Sequence, residues 1–148
     1  AAPAAPSSLV GGPEAPIPLD AGSLSPQAID LILKRLHLDM TFIDPDNRVA
    51  WFSNGPHRVF PRSPSVIGRD VKNCHPHESL ARVLGLIEDF REGRRESEAF
   101  WIRMKGRLIH IEYFAVRDGA GNYLGVLEAS EDLTDKASLT GEKRLASS

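Results

Sequence analysis

Between Ala99 and Glu131 apolar and polar residues fall into three strand-length runs parted by two turn signals. Ala99–Met104 leads into Lys105-Gly106, Arg107–Val116 follows, Asp118-Gly119-Ala120-Gly121-Asn122 reverses the chain, and Tyr123–Glu131 returns. Such runs joined by short Gly-containing turns predict antiparallel pairing. In the middle run Ile109, Ile111, Tyr113 and Ala115 share one face, while Leu108, His110, Glu112, Phe114 and Val116 share the other. Apolar groups on both faces predict a sheet covered on both sides. Upstream, Met40–Asp44 and Arg48–Ser53 flank Pro45-Asp46-Asn47, whose fixed φ and local side-chain hydrogen bonds favour a hairpin turn. Five antiparallel strands result.

Two stretches carry the helical period instead. Ser25 stands as a cap before Pro26, and Ile29, Ile32, Leu33 and Leu36 follow at i, i+3, i+4 and i+7, predicting an amphipathic helix over 25–38. Its stripe reads either as core packing or as a dimer contact, with Leu108, Phe114 and Val116 as a surface it could cover. Pro76 opens a second helix that carries Leu80, Val83, Leu84 and Ile87 and stops before Gly93. From 54 to 73 the chain is broken by Pro56, Pro61, Pro64 and Gly68, which predicts short helical turns. Residues 1–23 are rich in Ala, Pro, Ser and Gly and read as a flexible linker, 24–135 as one domain, and 136–148 as a linker or the start of a connecting helix. A chain beginning in such a linker reads as a piece of a larger protein.

A length of 148 residues suits one domain with a sizeable core, and a net charge of −2 opposes a broad attraction to nucleic acid or anionic membrane. One cysteine rules out an internal disulfide, and no apolar run spans a bilayer, so a cytoplasmic location is expected. No nucleophile–base pair, paired carboxylates or phosphate loop points to an enzyme. Trp51 and Trp101 read as core or interface, because no basic stripe accompanies them. Arg91 to Glu96 read as a solvated helix end, and His37 and His57 belong to no local constellation.

The last run ends in Asp132-Leu133-Thr134, and an antiparallel meander closing on Asp-aliphatic-Thr resembles the end of a PAS domain. The resemblance spans about Leu24 to Asp135. Phe-Pro-Arg-Ser-Pro (60–64), Val-Ile-Gly-Arg (66–69), Asn-Cys-His-Pro (73–76) and Phe-Trp-Ile (100–102) resemble, more narrowly, the PAS domain that accompanies hemerythrin-like domains in bacterial proteins. It implies an α+β fold: a five-stranded antiparallel sheet, helices on one face, and an N-terminal amphipathic helix. It also implies a sensory module with a ligand or cofactor pocket between the sheet face of Ile109, Ile111 and Tyr113 and the helix bearing Leu84. The alternative is a cofactor-free module acting through homodimerisation.

Among cofactors, heme leads the sequence reading. The helix terminus disfavours imidazolium at His75, and a neutral imidazole is what an iron requires. The resemblance places the axial ligand on the 73–77 wall or the long helix, so His75 is the first candidate metal ligand, His77 the second, and Cys74 a thiolate alternative. In the competing reading His75 caps the helix and Cys74 packs as a small hydrophobe, since Cys-His-Pro-His lacks the second pair of a closed zinc site. Asn73-Cys74 matches the start of the flavin signature of blue-light-sensing PAS domains, but His75-Pro76 and Glu128 depart from it and oppose flavin photochemistry. Glu128 itself either faces inward, needing a partner such as a polar ligand, Arg103 or a histidine, or faces solvent in a register one residue away.

Overall fold

The computed structural model describes residues 14–145, with every side chain in that span except that of His77. Ile17–Pro18 (β1) and Ser23–Leu24 (β2) pair antiparallel, with Leu19 N donating to Gly22 O. Backbone pairing thus begins ahead of residue 24, inside the stretch expected to be linker; residues 1–13 of that stretch lie outside the described residues. Helix α1 covers Pro26–Arg35, three residues shorter at its end than the stripe suggested. The Ser25 hydroxyl accepts the Ala28 amide at 3.0 Å and Pro26 occupies the first turn, as the capping pattern required.

Strand β3 (Asp39–Ile43) and β4 (Val49–Phe52) form the predicted hairpin. Asp44 Oδ1 accepts the amides of Asp46 and Arg48, which lets Asn47 take φ +63° at the reversal. Two 3-10 turns, Pro64–Val66 and Val71–Asn73, fill the proline-broken segment. Helix α2 runs His77–Arg91, so Pro76 is its N-cap rather than its first residue, and Gly93 ends it at φ +77°. Strands β5 (Ser97–Met104), β6 (Arg107–Arg117) and β7 (Tyr123–Asp132) complete the meander, followed by the one-turn α3 (Thr134–Ala137).

The five strands pair antiparallel in the order β4-β3-β7-β6-β5, leaving β4 and β5 at the edges. Ile109, Ile111 and Tyr113 are buried on the face that α2 covers with Ile87 and Phe90, and Phe90 is wholly excluded from solvent. The expected apolar stripe thus extends one step past Ile87, at i+3. Burying such side chains stabilises by about 1.5–3 kcal/mol each. Gly125 is obligatory in β7: its φ is +142°, and a Cβ there would lie 2.2 Å from Ile43 O. Helix α1 stands apart from this core. Its C-terminal turn sits so near Gly55 that a Cβ there would come 2.9 Å from Lys34 O, while Ile32 and Leu36 remain nearly half exposed. Leu108, Phe114 and Val116 on the outer sheet face are half-buried.

Candidate functional site: the sheet–helix interior and its open edge

The covered face of the sheet is not purely apolar. Thr41, Glu128 and Tyr113 stand side by side across β3, β7 and β6, so the register that buries Val126 also turns Glu128 inward. The inward of the two expected registers holds, yet the partner is neither Arg103, which is exposed, nor, among the described side chains, a histidine. Arg62, from the turn region, places Nη2 3.1 Å from Glu128 Oε1, and both side chains are nearly buried. At the next row Asp39 accepts the amides of Val59 and Phe60 at 2.9 and 2.8 Å and pairs with Arg58 at 2.7 Å. These two ion pairs tie the irregular 54–73 segment to the sheet, because a buried carboxylate left without donors would be costly. Burial, reinforced by the neighbouring Glu128 carboxylate, pushes the Tyr113 phenol above its ordinary pKa and keeps it protonated.

The wall predicted to hold a cofactor closes against this row. Cys74, His75, Arg62, Tyr113 and Glu128 line a void of about 10 Å³, room for about one water. His75 Nδ1 lies 3.3 Å from the Val71 carbonyl oxygen, which makes it the protonated ring nitrogen. Burial raises the Cys74 thiol, whose Sγ donates to Asp70 O at 3.6 Å, so the group stays a thiol and packs against the core. The His77 side chain lies outside the described residues. Leu84 and Ile111 are packing residues of the core, and Ile109 reaches a different cavity at the end of the sheet.

Open space lies instead between α2 and the β5 edge. A cleft of about 590 Å³ is walled by Val83 and Leu86 on the helix and by Phe100 and Tyr113 on the sheet, whose rings stack 6.2 Å apart at 20°. Its charged rim holds Arg82, Asp89, Arg95 and Glu98. Volume and lining match those of small-molecule sites. Tyr113 is shared: it faces this cleft and also borders the void with Glu128. A further cavity of about 370 Å³ at the sheet end brings His37 and His57 together, ring centroids 4.0 Å apart, although they lie twenty residues from each other in sequence. Beside them Asp132 accepts Arg107 Nε at 2.7 Å and the Thr134 hydroxyl at 2.6 Å, while Thr134 Oγ1 accepts the Leu108 amide. The Asp-Leu-Thr signature is thus a lock on the end of β6, and its hydrogen bonds hold the Asp132 carboxyl down at about 2.

The sheet order, the covering helix and this lock coincide with a match of residues 29–134 to the PAS domain family model. The chain belongs to the PAS family. A C-terminal domain from Streptococcus mutans is 34% identical and superposes with a TM-score of 0.80 over 86% of this chain and 99% of that one. Two further solved structures share the fold at low identity. The PAS domain of a Colwellia psychrerythraea protein is 12% identical, TM-score 0.54, over 74% of this chain and 97% of that one. Vibrio cholerae VqmA, in a ligand–DNA complex, is 16% identical, TM-score 0.57, over 82% and 61%. No curated protein matches the sequence.

In this PAS domain the space beside Cys74 and His75 does not fit a heme. The space beside His75 is one water in size, and the 590 Å³ cleft is lined by no histidine, cysteine or methionine among the described residues; the 370 Å³ cavity at the sheet end does hold His37, His57 and Met104, but none of these is on the 73–77 wall. Sequence reasoning passed over Asp39, Arg58, Arg62 and the cleft residues Gly85 and Phe100. For Arg62 a signal existed, a cation between two prolines in the Phe-Pro-Arg-Ser-Pro stretch; for Asp39 and Arg58 only the tertiary fold brings the charges together.

Proposed function

We propose that this PAS domain is a sensory module that takes a small, largely apolar ligand in the α2–β5 cleft and relays its occupancy to a partner domain. The observation that carries the reading is the contrast between a core closed to about 10 Å³ and an apolar cleft of about 590 Å³ at its edge. Tyr113 offers the route inward, since a ligand against its ring bears on the strand position opposite Glu128, and through Glu128 on Arg62 and the turn region. No helix among the described residues is long and apolar enough to cross a membrane, and the cytoplasm is the proposed compartment. The test is two-dimensional NMR of labelled protein titrated with indole, benzyl alcohol and hexanol. Saturable shifts should concentrate on Val83, Leu86, Phe100 and Tyr113; shifts elsewhere only, or none, refute the reading.

A second reading, self-association, is favoured by uncovered apolar surface. Trp51, Phe42, Leu127 and Phe114 form one half-buried row across the outer face, Trp101, opposite His110 further along the same face, is 67% exposed, and the α1 stripe presents Ile32 and Leu36. Neither tryptophan belongs to the core. A homodimer burying this face would let the module act without any ligand, and light scattering of the purified domain decides whether it forms.

A further inference from the structure

Gly85 is the ninth residue of the fifteen-residue α2, where glycine is a poor choice by about 1 kcal/mol relative to alanine. Close packing is the usual reason for a mid-helix glycine, and here it does not apply: a Cβ on Gly85 would meet no atom within 4 Å. What the missing side chain leaves is room in the cleft, since Gly85 lines it between Val83 and Leu86. The charges at the cleft are unevenly matched. Arg95 bonds both Asp89 and Glu98, and Arg94 bonds Asp89, so two cations and two carboxylates neutralise one another at one end. Arg82, one turn before Leu86, has no ion-pair partner among the described residues; Glu78, four residues earlier, forms none with it within 4.0 Å.

We propose that the cleft selects small amphiphilic carboxylates, with the apolar body lying over Gly85 against Leu86, Phe100 and Tyr113 and the carboxylate held by Arg82. The inference rests on the ligand-binding reading above and adds the chemical class. The stacked Phe100–Tyr113 pair gives a flat wall suited to an aryl or alkyl body. The guanidinium gives a two-pronged donor suited to a carboxylate. Because Arg82 is at a solvent-exposed rim, its contribution is modest, about fivefold in affinity, and is screened by salt.

The test compares 4-phenylbutyrate with its neutral isostere 4-phenylbutyramide by calorimetry and NMR on the full chain. The acid should bind about fivefold more tightly at low ionic strength, the gap should close in high salt, and Arg82→Gln should erase it. Gly85→Leu, which adds a good helix former into open space, should remain folded by its melting curve and abolish binding of both. Equal binding of acid and amide, with Gly85→Leu still blocking both, overturns the carboxylate assignment and leaves the cleft standing. An acid preference that survives Arg82→Gln likewise overturns the role of Arg82. Binding of both probes undiminished in a folded Gly85→Leu protein, or no binding to the parent, overturns the cleft reading and this inference with it.

Discussion

Replacing Gly85 with alanine should make the protein more stable. The position is exposed, lies mid-helix, and has helical φ, so alanine is compatible with the backbone. No atom lies within 4 Å of the added methyl, which removes both a steric penalty and a packing gain. What remains is the helix-propensity difference, about 1 kcal/mol, much of it from the smaller conformational freedom of the unfolded chain. For a domain of this size that raises the melting temperature by about 4 °C. Urea titration should show the midpoint moving upward at unchanged slope, since the surface exposed on unfolding hardly changes. Gly125→Ala supplies the opposite sign in the same assay, because its Cβ would collide with Ile43 O at 2.2 Å and its φ of +142° is closed to alanine. A Gly85→Ala protein no more stable than the parent would refute the reasoning, since it would mean that the glycine is required by packing or backbone strain and not by the space it leaves.

Removing the Glu128 carboxylate in Glu128→Leu leaves the Arg62 guanidinium nearly buried and unpaired and should cost about 3 kcal/mol in urea unfolding; adding Arg62→Met should recover most of that, because the loss is chiefly the stranded charge. The Asp132 carboxyl, held at about 2 against an ordinary 3.8, contributes stability that is present above pH 3.8 and is lost as pH falls toward 2. Asp132→Asn should therefore lower the melting temperature at neutral pH and flatten that acid limb; an unchanged limb would show that other carboxylates set it. Ile32→Asp with Leu36→Asp should give a folded monomer if the α1 stripe is an interface, and an unfolded protein if it is intramolecular core. A folded dimer after the change rejects both.

Strand and helix positions were legible in the sequence because they rest on local periodicity. Alternation from Ala99 to Glu131 marked three strands, Pro45-Asp46-Asn47 marked a hairpin, and Ser25-Pro26 marked a capped helix, each to within a few residues of the observed bounds. The inner face of β6 followed from the same alternation, since a period of two leaves only a choice of side. The inward turn of Glu128 and its partner did not follow. A carboxylate's direction depends on β7's register against β3 and β6, and Arg62 reaches it across sixty-six residues of chain. The cleft was illegible for a related reason. Gly85 reads locally as a weak spot in a helix, and only the packing of α2 against the sheet, open beside β5, shows what the absent side chain leaves free. The 73–77 wall shows the reverse: Cys74 and His75 were the most chemical-looking residues in the sequence, yet the local turn aims the thiol at Asp70 O and the imidazole nitrogen at Val71 O, each four residues back, and tertiary packing leaves only about 10 Å³ of space beside them. Local pattern determines which residues can be strand, helix or turn, because those preferences act within a few residues. Which polar groups meet, and where space is left between elements, is decided only when distant segments pack and their buried charges have to find partners.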